Sequence, residues 1–177
     1  MKKNKVVLAI VDAEIQAENA VQRLGQAGIP SPDISVIMPD KHGTKDFAHE
    51  HHTKAPEGAV VGGASGGVVG GTLGLLAGIG ALAIPGFGPF IAAGPLMAAL
   101  SGAAAGAAVG GIAGALVGMG IPEIEAKAYE GKLRGGNILL AVHVGTSEEE
   151  ARAKEILRRE GAHDISSTTD AAVPKAS

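Results

Sequence analysis

Hydrophobic positions follow three different rhythms along this chain. Lys5-Val-Val-Leu-Ala-Ile-Val11 is an unbroken apolar run, the pattern of a strand covered on both faces. Ala17, Ala20, Val21, Leu24 and Gly28 then recur at helical spacing, with Asp12 placed to act as N-cap. Gly28-Ile-Pro-Ser-Pro32 stops that helix, and Asp33-Ile-Ser-Val-Ile-Met38 predicts a second strand. The same order returns near the C-terminus. Asn137-Ile-Leu-Leu-Ala-Val-His-Val144 reads as a buried strand, and Thr146 and Ser147 each precede a glutamate by three residues, a doubled capping box. A helix through Ala153, Ile156 and Leu157 ends at Gly161, and Asp164-Ile-Ser166 begins a weaker, polar strand.

The two ends can be laid over each other. Leu8-Ala-Ile answers Leu140-Ala-Val, Gly28 answers Gly161, and Asp33-Ile-Ser answers Asp164-Ile-Ser. Two βαβ halves of this kind predict an α+β, ferredoxin-like sandwich with the first and third strands central and the second and fourth at the edges. The central strands are apolar on both sides, so the sheet face away from the two helices needs a cover. A short helix over Pro122 to Arg134, or a second subunit, is the expected source.

Between the halves the third rhythm takes over. Gly58, Gly62, Gly66, Gly70, Gly74 and Gly78 recur every four residues, and Gly102, Gly106, Gly110, Gly114 and Gly118 resume the series. Such a step lines glycines along one helix face and lets another backbone approach closely. Pro85-Gly-Phe-Gly-Pro89 interrupts the series with turn chemistry. The expectation is a glycine-zipper helical hairpin with arms near 58–84 and 95–120. Each interior glycine costs about 0.8–1 kcal/mol relative to alanine, so an isolated arm could not stand in water. Packing of helix on helix, a bilayer, or both must compensate. An arm of about 25 residues reaches roughly 37 Å, enough for a hydrocarbon core of about 30 Å.

Charge sharpens this picture. No charged residue occurs among the 65 positions between Glu57 and Glu123, whereas the flanking regions mix both signs and the whole chain carries −3. Lys41, Lys45 and Lys54 precede the hairpin, and Lys127, Lys132 and Arg134 follow it. Under the positive-inside tendency both ends face the cytoplasm, which also lets the two halves meet in one sheet. The Met1-Lys-Lys start has too short an apolar stretch before Asp12 to be read as an export signal. With no basic patch and only three Phe and one Tyr, nucleic-acid binding is not expected. Zero cysteines remove disulfides and thiolate metal sites.

The expected organisation is a first βαβ half over 1–40 and a His-rich charged linker over 41–57. The hairpin follows over 58–120 as a membrane segment, then a short helix with the second half over 121–170 and a tail over 171–177. The linker holds four of the six histidines, of which His49, His51 and His52 are the candidate metal ligands. Their spacing matches no defined site, and a solvated juxtamembrane linker is the plainer reading. His143 reads as a core or interface residue and His163 as a loop residue. No phosphate-binding glycine motif and no nucleophile–base pair can be argued, so neither an enzyme nor a bound cofactor is expected.

Ala128-Tyr-Glu-Gly-Lys-Leu-Arg-Gly-Gly-Asn-Ile-Leu-Leu-Ala-Val142, followed by an acidic helix and Gly161-Ala-His-Asp-Ile165, resembles the bacterial general-stress and low-temperature-induced proteins. In that family a Tyr, a Gly-Gly and a valine-rich strand follow a glycine-zipper hairpin, here matched by Tyr129, Gly135 and Gly136. The resemblance implies a stress-linked, non-enzymatic, membrane-associated protein, and assigns no catalytic residue. The first functional expectation is thus a membrane-anchored protein that self-assembles through its hairpin. The alternatives are a soluble homo-oligomeric scaffold and a metal-responsive module built on the histidines.

Overall fold

The computed structural model describes residues 5–39, 80–84, 88–95 and 104–169. They form an α+β structure around one antiparallel sheet. Strand β1 (Lys5–Val11) leads into helix α1 (Glu14–Gln26), a 3₁₀ turn (Ser31–Asp33) and β2 (Ile34–Pro39). After β3 (Gly80–Ile84) and β4 (Gly88–Ala93) come α2 (Ala104–Gly118) and α3 (Glu123–Arg134). Strand β5 (Ile138–Val144), helix α4 (Ser147–Arg159) and β6 (His163–Thr169) complete the order.

The sheet runs β3-β4-β2-β5-β1-β6, with every neighbouring pair antiparallel. β1 and β5 are central and fully paired, Leu8 opposite Ala141 and Ala9 opposite Leu140. Their unbroken apolar sequences follow from burial on both faces. Val7, Ala9, Val11, Leu140 and Val142 pack against Ala17, Val21 and Leu24 of α1 and Ala153 and Leu157 of α4. Val6, Leu8, Ile10, Leu139 and Ala141 point the other way, onto Ile112 and Leu116 of α2 and Ala126, Tyr129 and Leu133 of α3. The second face is therefore covered, and the helix expected over Pro122 to Arg134 is part of the cover.

Four expectations are corrected here. β2 is not an edge strand, because β4 pairs along its outer side, Val36 opposite Ala93 and Pro39 opposite Phe90. Ile34, Val36, Ile37 and Met38 are all buried, and such a strand requires a paired neighbour. The helical hairpin is not continuous either. Gly80–Ile84 and Gly88–Ala93 form a β-hairpin, with Ile84 opposite Gly88, where helical arm and turn were expected. Pro85 and Pro89 forbid a helix through this stretch, and the two pieces are of strand length.

The second arm is not one continuous helix either. α2 has 15 residues, about 22 Å, and is broken at Gly111 (φ 55°, ψ −151°). Glu130 of α3 accepts the Ala113 N–H at 2.7 Å, so a carboxylate caps the helical piece that starts after the break. Among the described residues no helix is long and apolar enough to cross a membrane. The first arm through Ile79 lies outside them.

Finally, Asp12 does not cap α1. Ala13 is the N-cap, and the Gln16 side chain accepts the N–H groups of Asp12 and Ala13 at 3.0 and 3.1 Å. At α4 the capping box forms, with Thr146 Oγ1 accepting Glu149 N–H at 3.1 Å. Thr146→Ala should therefore cost about 1 kcal/mol in urea unfolding, with Ser147→Ala changing little.

Candidate functional site

Three places in the fold could carry function: the outer side of α2, a cleft at one end of the sheet, and the polar clusters that fasten β6.

α2 contains only Ala, Gly, Val, Ile and Leu. Its inner side, Ile112, Ala113, Ala115 and Leu116, is buried against the sheet and α3. Gly114 and Gly118 face outward, and a Cβ built on either meets nothing within 4 Å. Val117 between them is 43% exposed, and Ile124 in the first turn of α3 is 87% exposed. Of the other expected packing glycines, Gly106 and Gly110 lie in α2. Gly58, Gly62, Gly66, Gly70, Gly74, Gly78 and Gly102 lie outside the described residues, as do His49, His51 and His52. Among the described residues no group of three or more histidines and carboxylates is placed to hold a metal ion.

The cleft, about 440 Å³, opens between the 28–33 loop, Pro95 and the β5–α4 junction, with Asp33, His143 and Glu149 as its ionisable lining. Glu149 serves the backbone there, since its Oε2 accepts Gly145 N–H at 2.7 Å and Thr146 N–H at 3.2 Å. Among the described residues no hydroxyl, thiol or amine side chain lines the cleft. His143 is half-buried on β5 and lines this cleft.

β6 is fastened at both ends by side chains. Near its end, Glu150 receives Lys5 Nζ at 2.6 Å, Lys154 Nζ at 2.7 Å and Ser167 Oγ at 2.7 Å, tying β1, α4 and β6 together. Hydrogen bonds from Lys154, then Lys5 and Ser167, hold its carboxyl at about 2, against an ordinary 4.5. A lowered carboxyl stabilises the fold above its ordinary value, and that contribution fades as pH falls toward about 2. Glu150→Gln should thus lower the urea midpoint at neutral pH and flatten its acid limb. An acid limb as steep as wild type would contradict this assignment.

At the start of β6, Tyr129 of α3 donates to the Asp164 carbonyl at 2.7 Å and lies 2.8 Å from Ser166 Oγ. Burial is the main cause that pushes its phenol up to about 12, so it stays neutral. Tyr129, Gly135 and Gly136 accordingly have structural roles: Tyr129 anchors β6, while Gly135 and Gly136 close α3, with Gly136 N–H on Leu133 O. His163, expected in a loop, is the first residue of β6 and bonds two carboxylates. Sequence spacing could not find this cluster, since Asp12 and His163 are 151 residues apart.

Fold and site thus define a class: an α+β protein with a two-sided antiparallel sheet and an uncharged, glycine-rich helix on its outside. Comparison with protein-family models, with curated proteins and with solved structures finds no match to this chain.

Proposed function

We propose that this protein is a non-enzymatic, stress-associated, self-assembling protein: a ferredoxin-like head that associates with copies of itself through its glycine-rich segment. The four strands β6-β1-β5-β2 have the order of a βαββαβ unit, and β3, β4, α2 and α3 lie between its two halves. The observation that carries the association is the outward side of α2, where Gly114, Val117 and Gly118 offer an apolar surface free of long side chains. Two such helices can approach backbone to backbone. The link to stress rests on the resemblance carried by Tyr129, Gly135 and Gly136.

Light scattering on the full chain in detergent-free buffer tests this. Wild type should form a monodisperse oligomer. Val117→Glu would bury an unpaired charge in the contact and should raise the concentration at half-dissociation tenfold or more, roughly 1.4 kcal/mol. Gly114→Leu should do the same by separating the helices, although leucine is the better helix former. Unchanged particle size in both variants would mean that this side of α2 contacts nothing.

A second reading, membrane anchoring with both termini cytoplasmic, is favoured by the run of 65 uncharged residues. Retention in the membrane pellet after a carbonate wash would support it, and quantitative release would end it.

A further inference from the structure

We propose that the His163 cluster is a pH-dependent latch on the edge strand β6, closed while the imidazole is protonated and loosened when it becomes neutral. This does not depend on the assembly reading.

β6 is an outermost strand, pairing with β1 alone among the described residues, and its sequence is polar throughout except for Ile165. Little apolar burial therefore holds it, and polar contacts decide whether it stays docked. Its first residues are also its least regular part. The β1–β6 register shifts between Leu8 and Ile10, and Asp164 has φ 50°, a conformation that L-residues with a side chain occupy at a cost. The latch sits at this point.

His163 Nδ1 lies 2.5 Å from Asp164 Oδ2, and Nε2 lies 3.0 Å from Asp12 Oδ1 at the end of β1. Both ring nitrogens thus face carboxylate oxygens, and only the imidazolium carries a proton on each. In neutral imidazole one nitrogen holds a lone pair, which opposes the oxygen it faces. One of the two contacts is then lost.

The surrounding groups set the sign. Asn137 Nδ2 donates to the same Asp12 oxygen at 3.2 Å, and Lys132 Nζ of α3 lies 2.9 Å from the same Asp164 oxygen. From α3, Tyr129 reaches both the Asp164 carbonyl and, at 3.4 Å, Glu125. From α1, neutral Gln16 lies beside Gly161, while Arg23 pairs with Glu160 at the end of α4. Lys132 keeps Asp164 neutralised in either state, so Asp12 is the carboxylate that loses its cation when His163 deprotonates. Asp12, and then Asp164, hold the imidazole above its ordinary 6.5. A raised group stabilises fully below its unfolded-state value and loses that contribution as pH rises through the folded-state value. Lys132, and then His163, hold Asp164 below its ordinary 3.8, so its part of the latch fails only under acid. The latch is therefore closed below the ordinary 6.5 and weakens as pH rises through the raised value of the imidazole.

Amide hydrogen exchange of the full chain, corrected for intrinsic rates, tests this at about pH 5.5 and about pH 8. Protection of residues 163–167 should fall roughly two- to fivefold at the higher pH, the range of a half-exposed ion pair, while β5 stays unchanged. His163→Gln should show the lower protection at both pH values, and Asp12→Asn should shrink the pH effect. Should His163→Gln not fold, proton NMR titration of the wild-type imidazole serves: titration above 6.5 supports the latch. Protection in β6 that is equal at both pH values, an undiminished pH effect in either variant, or an imidazole titrating at or below 6.5 would each overturn it.

Discussion

Gly94→Ala should strongly destabilise the protein. Gly94 follows β4 with φ +83°, and a Cβ there would lie 2.2 Å from the Ile34 carbonyl oxygen and 2.9 Å from Ser35 Cα. Those atoms are the backbone of β2, itself held between β4 and β5, so they cannot turn aside as a flexible side chain would. The left-handed conformation alone costs an alanine about 1–2 kcal/mol. Displacing a strand of a packed sheet adds about 1–3 kcal/mol. The sum, about 2–5 kcal/mol, is a large part of the stability of an ordinary domain. Gly28→Ala is the control, because Gly28 has φ +91° and nothing within 4 Å of the added carbon. It should cost only about 1–2 kcal/mol. Guanidinium unfolding of both variants decides the matter: equal midpoints would mean that β2 and β4 are not held this close.

The second large effect is expected at Leu116, fully buried on the inner side of α2. Leu116→Ala should lose about 2–5 kcal/mol, since it removes three carbons from a cluster shared by the sheet, α2 and α3. Val117→Ala, one residue on but outward-facing, should stay within about 0.5 kcal/mol. The contrast separates two pictures of the glycine-rich region. A helix that belongs to a separate hairpin could lose Leu116 with little effect on the head, whereas a helix that forms part of the core cannot. Equal, small effects at both positions would favour the separate hairpin.

The strands and helices of both ends were legible because their patterns are local. β1 and β5 are apolar at nearly every position, α1 and α4 keep an apolar stripe, and Thr146 with Glu149 announces a helix start. The glycine period was legible too, but it was extended too far. Gly80-Ala-Leu-Ala-Ile84 has no side chain that distinguishes helix from strand by itself. The available edge of β2, reached through β4, is what makes these residues extended. Gly111 likewise sits in a glycine-dense stretch that reads as unbroken helix. Its break follows from Glu130, a residue of the next helix that waits for the freed Ala113 N–H.

The sequence by itself determined the α+β class, the paired strand–helix–strand order at the two ends and the uncharged middle. Each of these is written in periodicity, capping residues or charge within a few positions. Tertiary structure alone decided that β2 is interior, that α2 breaks at Gly111 and seats Leu116 in the core, and that Asp12 meets His163 rather than capping α1. These outcomes depend on which groups from distant segments remain to be paired or covered once the sheet has formed, and no local pattern records that.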